Sequence, residues 1–339
     1  MTKKVLVTGS AGFIGSSLIH YLHDVTDWKL SEFDVDANDY YNKAHPDFHT
    51  NELKHFRYKN LPVLSLKSFL VESALLRNIS KYDLIIHLGA SAGVEKSFKS
   101  PHETIIRNCN SFVSNLFWST NGETKLLYAS SSSVYGNNPI PFKETDACLT
   151  PKSLYAATKL FNENAAYAYS SQYGIRTVGM RFFTVYGPWG RPEMALFKFV
   201  NHIINGKEIS LRKGTARQFT YIDDLCSMIH HMAEYELDPV NQIFIKNNAQ
   251  VFNICDGDSI PIINAVRTIE EILGKKAKVK EVEIPQFDVP RSYGDNMSFK
   301  TFYSYANTPT KFYDGMKKFI TWYKENDGDY WYEHGNDSI

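Results

Sequence analysis

The sequence predicts an α/β fold, a doubly wound parallel sheet followed by a smaller α+β part, and three observations predict it. Short apolar runs alternate with stretches of helical periodicity up to residue 183, as crossover helices between parallel strands require. A glycine-rich turn joins the first strand to the first helix. From 184 onward Pro188, Pro192, Pro261, Pro285, Pro290 and Pro309, with many aromatic residues, interrupt the periodicity, which predicts a loop-rich segment that builds a pocket and not another large sheet.

At about 150 residues per domain, 339 residues suit two parts. These are expected at 1–183 and 184–339, with Val251–Ile254 returning to the first sheet as a strand. The first strand is expected at Val5–Val7, and Ile14, Leu18 and Leu22 then recur as the apolar stripe of a helix. Leu30–Asp34 reads as a weaker second strand, Leu84–Leu88 as the third and Leu126–Ala129 as the fourth. A helix is expected from near Lys152 to about Tyr173, then a strand at Thr177–Phe183. The polar tail after Glu325 should fray unless Tyr330, Trp331 and Tyr332 dock it.

Composition narrows the function classes. Lys+Arg and Asp+Glu are 37 each, so no net field recruits nucleic acid or an anionic membrane, and neither partner is expected. Hydrophobic residues at 43% and charged residues at 22% exclude disorder. Cys109, Cys148, Cys226 and Cys255 form no Cys-x-x-Cys pair and read as reduced thiols. The N-terminus lacks a signal-peptide core and no run is long enough to span a bilayer, so a cytoplasmic protein is expected. His45 and His49 are four apart, but Pro46 between them disfavours a helix and no metal site is expected.

Thr8-Gly9-Ser10-Ala11-Gly12-Phe13-Ile14-Gly15 lies between a strand and a helix, the context that gives a glycine pattern weight. Gly9 allows the tight turn, Gly12 the approach of backbone N–H groups to a pyrophosphate, and Gly15 close helix–sheet packing. This is the Rossmann-type dinucleotide arrangement. Asp34 follows Gly15 at about 20 residues, where a carboxylate takes the ribose hydroxyls of NAD and repels the phosphate of NADP. Asp36 is the alternative ribose partner. The expected cofactor is NAD, held by Gly9, Gly12, Phe13, Ile14, Gly15, Asp34 and Leu88, with Tyr155 and Lys159.

Tyr155 and Lys159 stand at i and i+4, on one helix face. A neighbouring ammonium, joined by the positive nicotinamide ring, favours a phenolate, so the pair reads as a proton-transfer device with the Tyr155 pKa expected below its ordinary value. Such pairs also occur by chance on helices. The hydroxyl run Ser130-Ser131-Ser132-Ser133 before Val134-Tyr135-Gly136 sets this one apart, because it ends a strand at the edge where open α/β sheets bind ligands.

Together the glycine loop, the serine run ending in Val-Tyr-Gly and Tyr-x-x-x-Lys resemble the extended short-chain dehydrogenase/reductases that epimerise, dehydrate or decarboxylate nucleotide sugars. Within that group, Arg181 to Phe199 and Arg217-Gln218-Phe219-Thr220-Tyr221-Ile222-Asp223-Asp224 resemble the UDP-glucuronate 4-epimerases. The resemblance implies that Ser131 and Tyr155 engage the sugar O4, that Tyr155 takes its proton, and that Lys159 assists it while holding the nicotinamide ribose. Hydride then leaves C4 for bound NAD and returns to the other face of the 4-keto sugar, giving UDP-galacturonate. That intermediate is a β-keto acid, and the resemblance assigns the grip on its carboxylate to Ser132, Ser133, Thr184 and Arg191. Arg217 falls to the diphosphate. Leu196, Phe197 and Phe199 read as pocket wall and core.

Some positions depart from the pattern. Glu95-Lys96 stands where the family has Arg and an aromatic, and Gln218 where Asp is usual. Asn60-Leu61 falls where an acidic residue near the adenine is expected, and Arg291 is the one candidate for a second diphosphate arginine. A homodimer through 101–119 and 152–173 is implied by analogy. A decarboxylase, a neutral-hexose epimerase and a non-catalytic NAD sensor are the alternatives. The missing acid before Val-Tyr-Gly disfavours the first, Arg191 and Thr184 the second, and the Tyr–Lys pair the third.

Overall fold

The computed structural model describes residues 2–34, 82–120, 124–242, 248–326, 328, 329 and 332. Asp36, His45, His49, Asn60, Leu61, Tyr330 and Trp331 lie outside them. The chain starts with β1 (Lys4–Thr8), α1 (Phe13–Val25), β2 (Lys29–Phe33) and β3 (Leu84–His87). It continues through α2 (Val94–Lys99), α3 (Pro101–Ile105), a π-helical turn at Ile106–Asn110, and α4 (Ser111–Ser119). Then come β4 (Lys125–Ser131), a 3₁₀ turn at Ser132–Tyr135, α5 (Leu154–Tyr173) and β5 (Thr177–Phe182).

Six strands form one parallel sheet in the order β2-β1-β3-β4-β5-β9, where β9 is Ala249–Ile254. The side-chain period of two sorts their residues onto opposite faces. Val5, Val7, Leu84, Ile86 and Leu127 enter the larger core, while Leu6, Ile85, Leu126 and Tyr128 enter a second one with Phe112, Leu116 and Ala166 of α4 and α5. A strand apolar on both faces needs cover on both, which is why these runs read as continuous and not alternating. β1 lies between β2 and β3, so the chain departs to opposite sides of it, and the crevice at the carboxyl ends of β1 and β3 is where such sheets bind ligands.

The second half is more regular than its prolines suggest. It contains β6 (Thr184–Tyr186), α6 (Ala195–Ile204), β7 (Glu208–Arg212), β8 (Ala216–Tyr221), α7 (Ile222–Leu237) and α8 (Pro239–Gln242) before β9. After it come β10 (Ser259–Pro261), α9 (Ile262–Leu273), β11 (Lys278–Val282), α10 (Met297–Tyr303) and α11 (Phe312–Glu325). The expectation of a loop-rich segment is therefore corrected. Its prolines sit at or between the ends of elements: Pro239 opens α8, Pro261 ends β10 just before α9, and Pro285 and Pro290 follow β11. In α7, Leu225, Cys226, Met228, Ile229, Met232 and Ala233 are buried at helical spacing, and the helix packs on α1. Short sheets β10-β8-β6 and β11-β7 complete this half. At the tail, the Tyr332 hydroxyl pairs with His202 Nε2 at 2.7 Å.

Candidate active site

The glycine loop is built as its sequence demands. Gly9 has φ +71°, and a Cβ there would lie 2.5 Å from Gly89 N, so a side chain would force β1 and β3 apart. A Cβ on Gly15 would stand 2.1 Å from Gly9 O, which fixes how closely α1 approaches the turn. Gly12 caps α1 without a side chain, and its own N–H turns inward to Gly9 O at 3.0 Å. The first-turn N–H groups of Phe13 and Ile14 are those a helix leaves for an anion. Asp34, only 4% exposed, accepts from Ala11 N through Oδ2 at 3.0 Å, so it braces the loop at the edge of the crevice. Leu88 N donates to Thr8 O at 3.0 Å at the adjoining strand end. This cradle, open where a Cβ would close it and flanked by a helix N-terminus and a carboxylate, fits NAD.

Ser153 caps α5, its Oγ accepting from Ala156 N at 3.1 Å, and the helix carries Tyr155 and Lys159 against the end of β4. The Ser131 hydroxyl hydrogen-bonds the Tyr155 phenol. Ser131 Oγ also lies 3.1 Å from Ser133 Oγ, within hydrogen-bond distance, and accepts from Ser133 N at 3.2 Å. Lys159 Nζ donates to Ala129 O at 2.9 Å and lies 5.8 Å from the centre of the Tyr155 ring. Burial lowers the Lys159 pKa to about 8, against the favourable pull of Cys109 and Glu163.

The protein's own groups leave the Tyr155 pKa above its ordinary value, before the nicotinamide charge on which the expected depression also rests. The side chain is half-buried, its hydroxyl end is shielded from water, and that desolvation raises the pKa. The groups that oppose the rise are the Ser131 hydrogen bond and the Arg191 charge. Arg191 is thus a cation that favours the phenolate, a role the sequence suggests for Lys159.

Arg191 sits in the turn between β6 and α6. Trp189, held at φ +62° and packed edge-on against Trp322 at 5.1 Å, shapes that turn. Glu193 Oε1 is 2.6 Å from Arg191 Nε but out of line with its N–H, so the contact is an ion pair without a formed hydrogen bond. Ser132 opens the 3₁₀ turn after Ser131, and Thr184 stands two residues beyond Phe182, the register partner of Ser131. Both are half-buried at the carboxyl edge of the sheet. Arg217 is on β8, its Nη1 held by Ala216 O and Pro290 O and its Nη2 by Asp288 Oδ1 at 2.8 Å. Gln218 uses both ends of its amide, donating to Gly257 O and accepting from Gly294 N, which an Asp could not do. Arg291 is exposed and lines a cleft with Leu211, Arg212 and Thr215.

Several supporting residues were not apparent from the sequence. Asn108, in the π-helical turn, accepts from Ser91 N at 2.7 Å and donates to Ser91 O and Thr158 Oγ1, tying the loop after β3 to the catalytic helix. Glu163 receives both Arg181 nitrogens at 2.9 and 2.7 Å and the Ser130 hydroxyl at 2.6 Å, locking α5 to β4 and β5. His87 Nδ1 pairs with Thr8 Oγ1 at 2.7 Å between the two strand ends. The spacing of Glu163 from Lys159, one helical turn, was the one local signal among these. No cluster of metal-ligating side chains occurs among the described residues. No helix among them is long and apolar enough to cross a membrane.

Comparison with known proteins agrees with this geometry. The NAD dependent epimerase/dehydratase family model matches residues 5–254. UDP-glucuronate 4-epimerase 6 of Arabidopsis thaliana is 37% identical over 94% of this chain and 71% of that protein. The structure of UDP-glucuronic acid 4-epimerase from Bacillus cereus with UDP-glucuronic acid and NAD superposes with a TM-score of 0.81 at 26% identity, covering 95% of this chain and 99% of that one. UDP-N-acetylglucosamine 4-epimerase from Methanobrevibacter ruminantium, in complex with UDP-N-acetylmuramic acid, superposes with a TM-score of 0.79 at 26% identity over 96% and 99%. With its glycine cradle at the sheet's switch point and its Tyr–Lys pair against the end of β4, the chain belongs to the NAD dependent epimerase/dehydratase family of extended short-chain dehydrogenase/reductases, and its cofactor is NAD.

Proposed function

We propose that this enzyme, an NAD-dependent nucleotide-sugar 4-epimerase, interconverts UDP-glucuronate and UDP-galacturonate. The observation that carries the reading is the Arg191 guanidinium, whose charge acts on the Tyr155 phenol, at a site that also carries the hydroxyls of Ser131 and Ser133. In a hexuronate the carboxylate is borne by C5, next to the reacting C4. A cation beside the group that takes the O4 proton is therefore within reach of that carboxylate, and a guanidinium is the side chain shaped to hold it in one orientation. Holding the carboxyl bond out of line with the carbonyl π system is what separates an epimerase from a decarboxylase.

In this mechanism Ser131 and Tyr155 receive the sugar O4 and Tyr155 removes its proton. NAD, when bound, would supply reversible hydride acceptance at C4. Ser132, Ser133 and Thr184 join Arg191 on the carboxylate, Arg217 meets the diphosphate, and Lys159 orients the ribose and keeps a positive charge behind the tyrosine. When the 4-keto sugar presents its other face, Tyr155 returns the proton to O4, so charge and hydrogen balance over the cycle. The division of the chain at 183/184 into cofactor and sugar parts belongs to the same reading. So does a homodimer, for which exposed Ile105, Ile106 and Phe117, and Phe161 and Tyr167 on α5, offer apolar surface.

The similarity to a UDP-N-acetylglucosamine 4-epimerase supports a second reading, a neutral sugar as substrate. Parallel incubations with UDP-glucuronate, UDP-glucose and UDP-N-acetylglucosamine, resolved by anion exchange with mass detection, separate the two. An isobaric product from the uronate alone supports the proposal. Turnover of the neutral sugars with the uronate untouched refutes it.

A further inference from the structure

Glu95, in the first turn of α2, reaches from the cofactor part to the other half of the molecule. Its Oε1 accepts from Arg212 Nη2 at 2.8 Å, where Arg212 ends β7. Arg212 Nη1 bonds Asp288 Oδ2, and Asp288 Oδ1 accepts from Arg217 Nη2 at 2.8 Å. Two carboxylates and two guanidiniums thus alternate in one chain with no net charge. Phe287 backs it, 5.9 Å from the Arg212 guanidinium and 5.8 Å from Phe98 of α2. Two residues before Glu95, a Cβ on Gly93 would lie 3.7 Å from Arg191 Nη2, so the chain ends beside the arginine assigned to the sugar carboxylate.

The members are not equally held. Asp288 is anchored by both arginines and by the Val289 N–H at 2.8 Å. Glu95 makes one ion pair, and its side chain is 48% exposed. An anion entering beside Arg217 therefore meets a second guanidinium, already brought to the same carboxylate, whose other partner is free to leave for water. We propose that Arg212 is a phosphate-binding cation of the cleft and that Glu95 is the internal anion occupying it, so that Glu95 sets the affinity for the nucleoside diphosphate. This rests on the nucleotide-sugar reading above and adds to it a residue that opposes binding.

Titration calorimetry with UDP, on wild type, Glu95→Gln, Arg212→Gln and the double variant at low and high salt, tests it. An exposed pair is worth little, so Glu95→Gln should tighten UDP by about two- to fivefold, and less at high salt. Arg212→Gln should weaken it by about tenfold, the loss of one hydrogen bond to a charged group. In the Arg212→Gln background, Glu95→Gln should bring no further tightening. Glu95→Gln binding UDP as wild type or more weakly overturns the inference. If the pair only clasps the two halves, both single variants weaken UDP and lower the unfolding temperature alike, which also overturns it. Wild type that binds no UDP refutes the nucleotide-sugar reading itself, and this inference with it.

Discussion

Replacing Arg191 by Gln removes a cation that acts on the Tyr155 phenol, and the size of the effect can be worked from its surroundings. A hydrogen bond to a charged group contributes about 1.5–3 kcal/mol. Before it can hold a substrate carboxylate, Arg191 must release Glu193, and with side chains 27% and 31% exposed that pair costs up to about 1 kcal/mol to break. With that full cost the net grip is about 0.5–2 kcal/mol, which raises KM for UDP-glucuronate by about 2- to 30-fold in Arg191→Gln. Two further changes follow from the same geometry. Tyr155 loses one of the two groups that lower its pKa, so the acid limb of the kcat/KM profile moves to higher pH. The intermediate's carboxylate is freed, so a UDP-pentose formed by loss of carbon dioxide accompanies the epimer. Steady-state kinetics across pH with mass detection of products reads all three. An unchanged KM with an unmoved acid limb would refute the assignment of Arg191.

Tyr155→Phe should abolish turnover while NAD remains bound, as judged by cofactor retained after gel filtration; residual activity near wild type would exclude Tyr155 as the proton acceptor. Gly15→Ala places a methyl group 2.1 Å from a backbone oxygen and should destabilise the protein by about 1–3 kcal/mol in denaturant titrations, with loss of NAD affinity. His87 is held neutral by burial and by the Lys159 ammonium, with its pKa lowered to about 3. The unfolded chain takes up that proton near pH 6.5 and the folded one does not, so stability falls as pH drops from about 6.5 toward 3. His87→Gln should flatten that part of the denaturation profile.

What could be read from the sequence was what is encoded within a turn or two of chain. The strands of the sheet announced themselves because Val5–Val7, Leu84–Ile86 and Leu126–Leu127 are buried from both sides. The glycine loop and Tyr155-x-x-x-Lys159 are local patterns whose geometry follows from spacing. The rise that burial gives the Tyr155 pKa was not legible, because spacing shows the ammonium four residues on but not the burial of the hydroxyl or the charge of Arg191. Asn108 on Ser91, Asp288 between Arg212 and Arg217, and Glu95 on Arg212 were illegible for a related reason: each joins residues far apart in the chain. The helices after residue 184 were hidden by prolines that mark their boundaries.

The central claim is that hydride leaves C4 of a uronate and returns to its opposite face while the carboxylate is held. Incubation with UDP-glucuronate carrying deuterium at C4, followed by mass and proton resonance measurements on the separated product, tests it most directly. The account predicts UDP-galacturonate of unchanged mass with deuterium retained at C4. Loss of the label to solvent, or a product lighter by carbon dioxide from the wild-type enzyme, would contradict it.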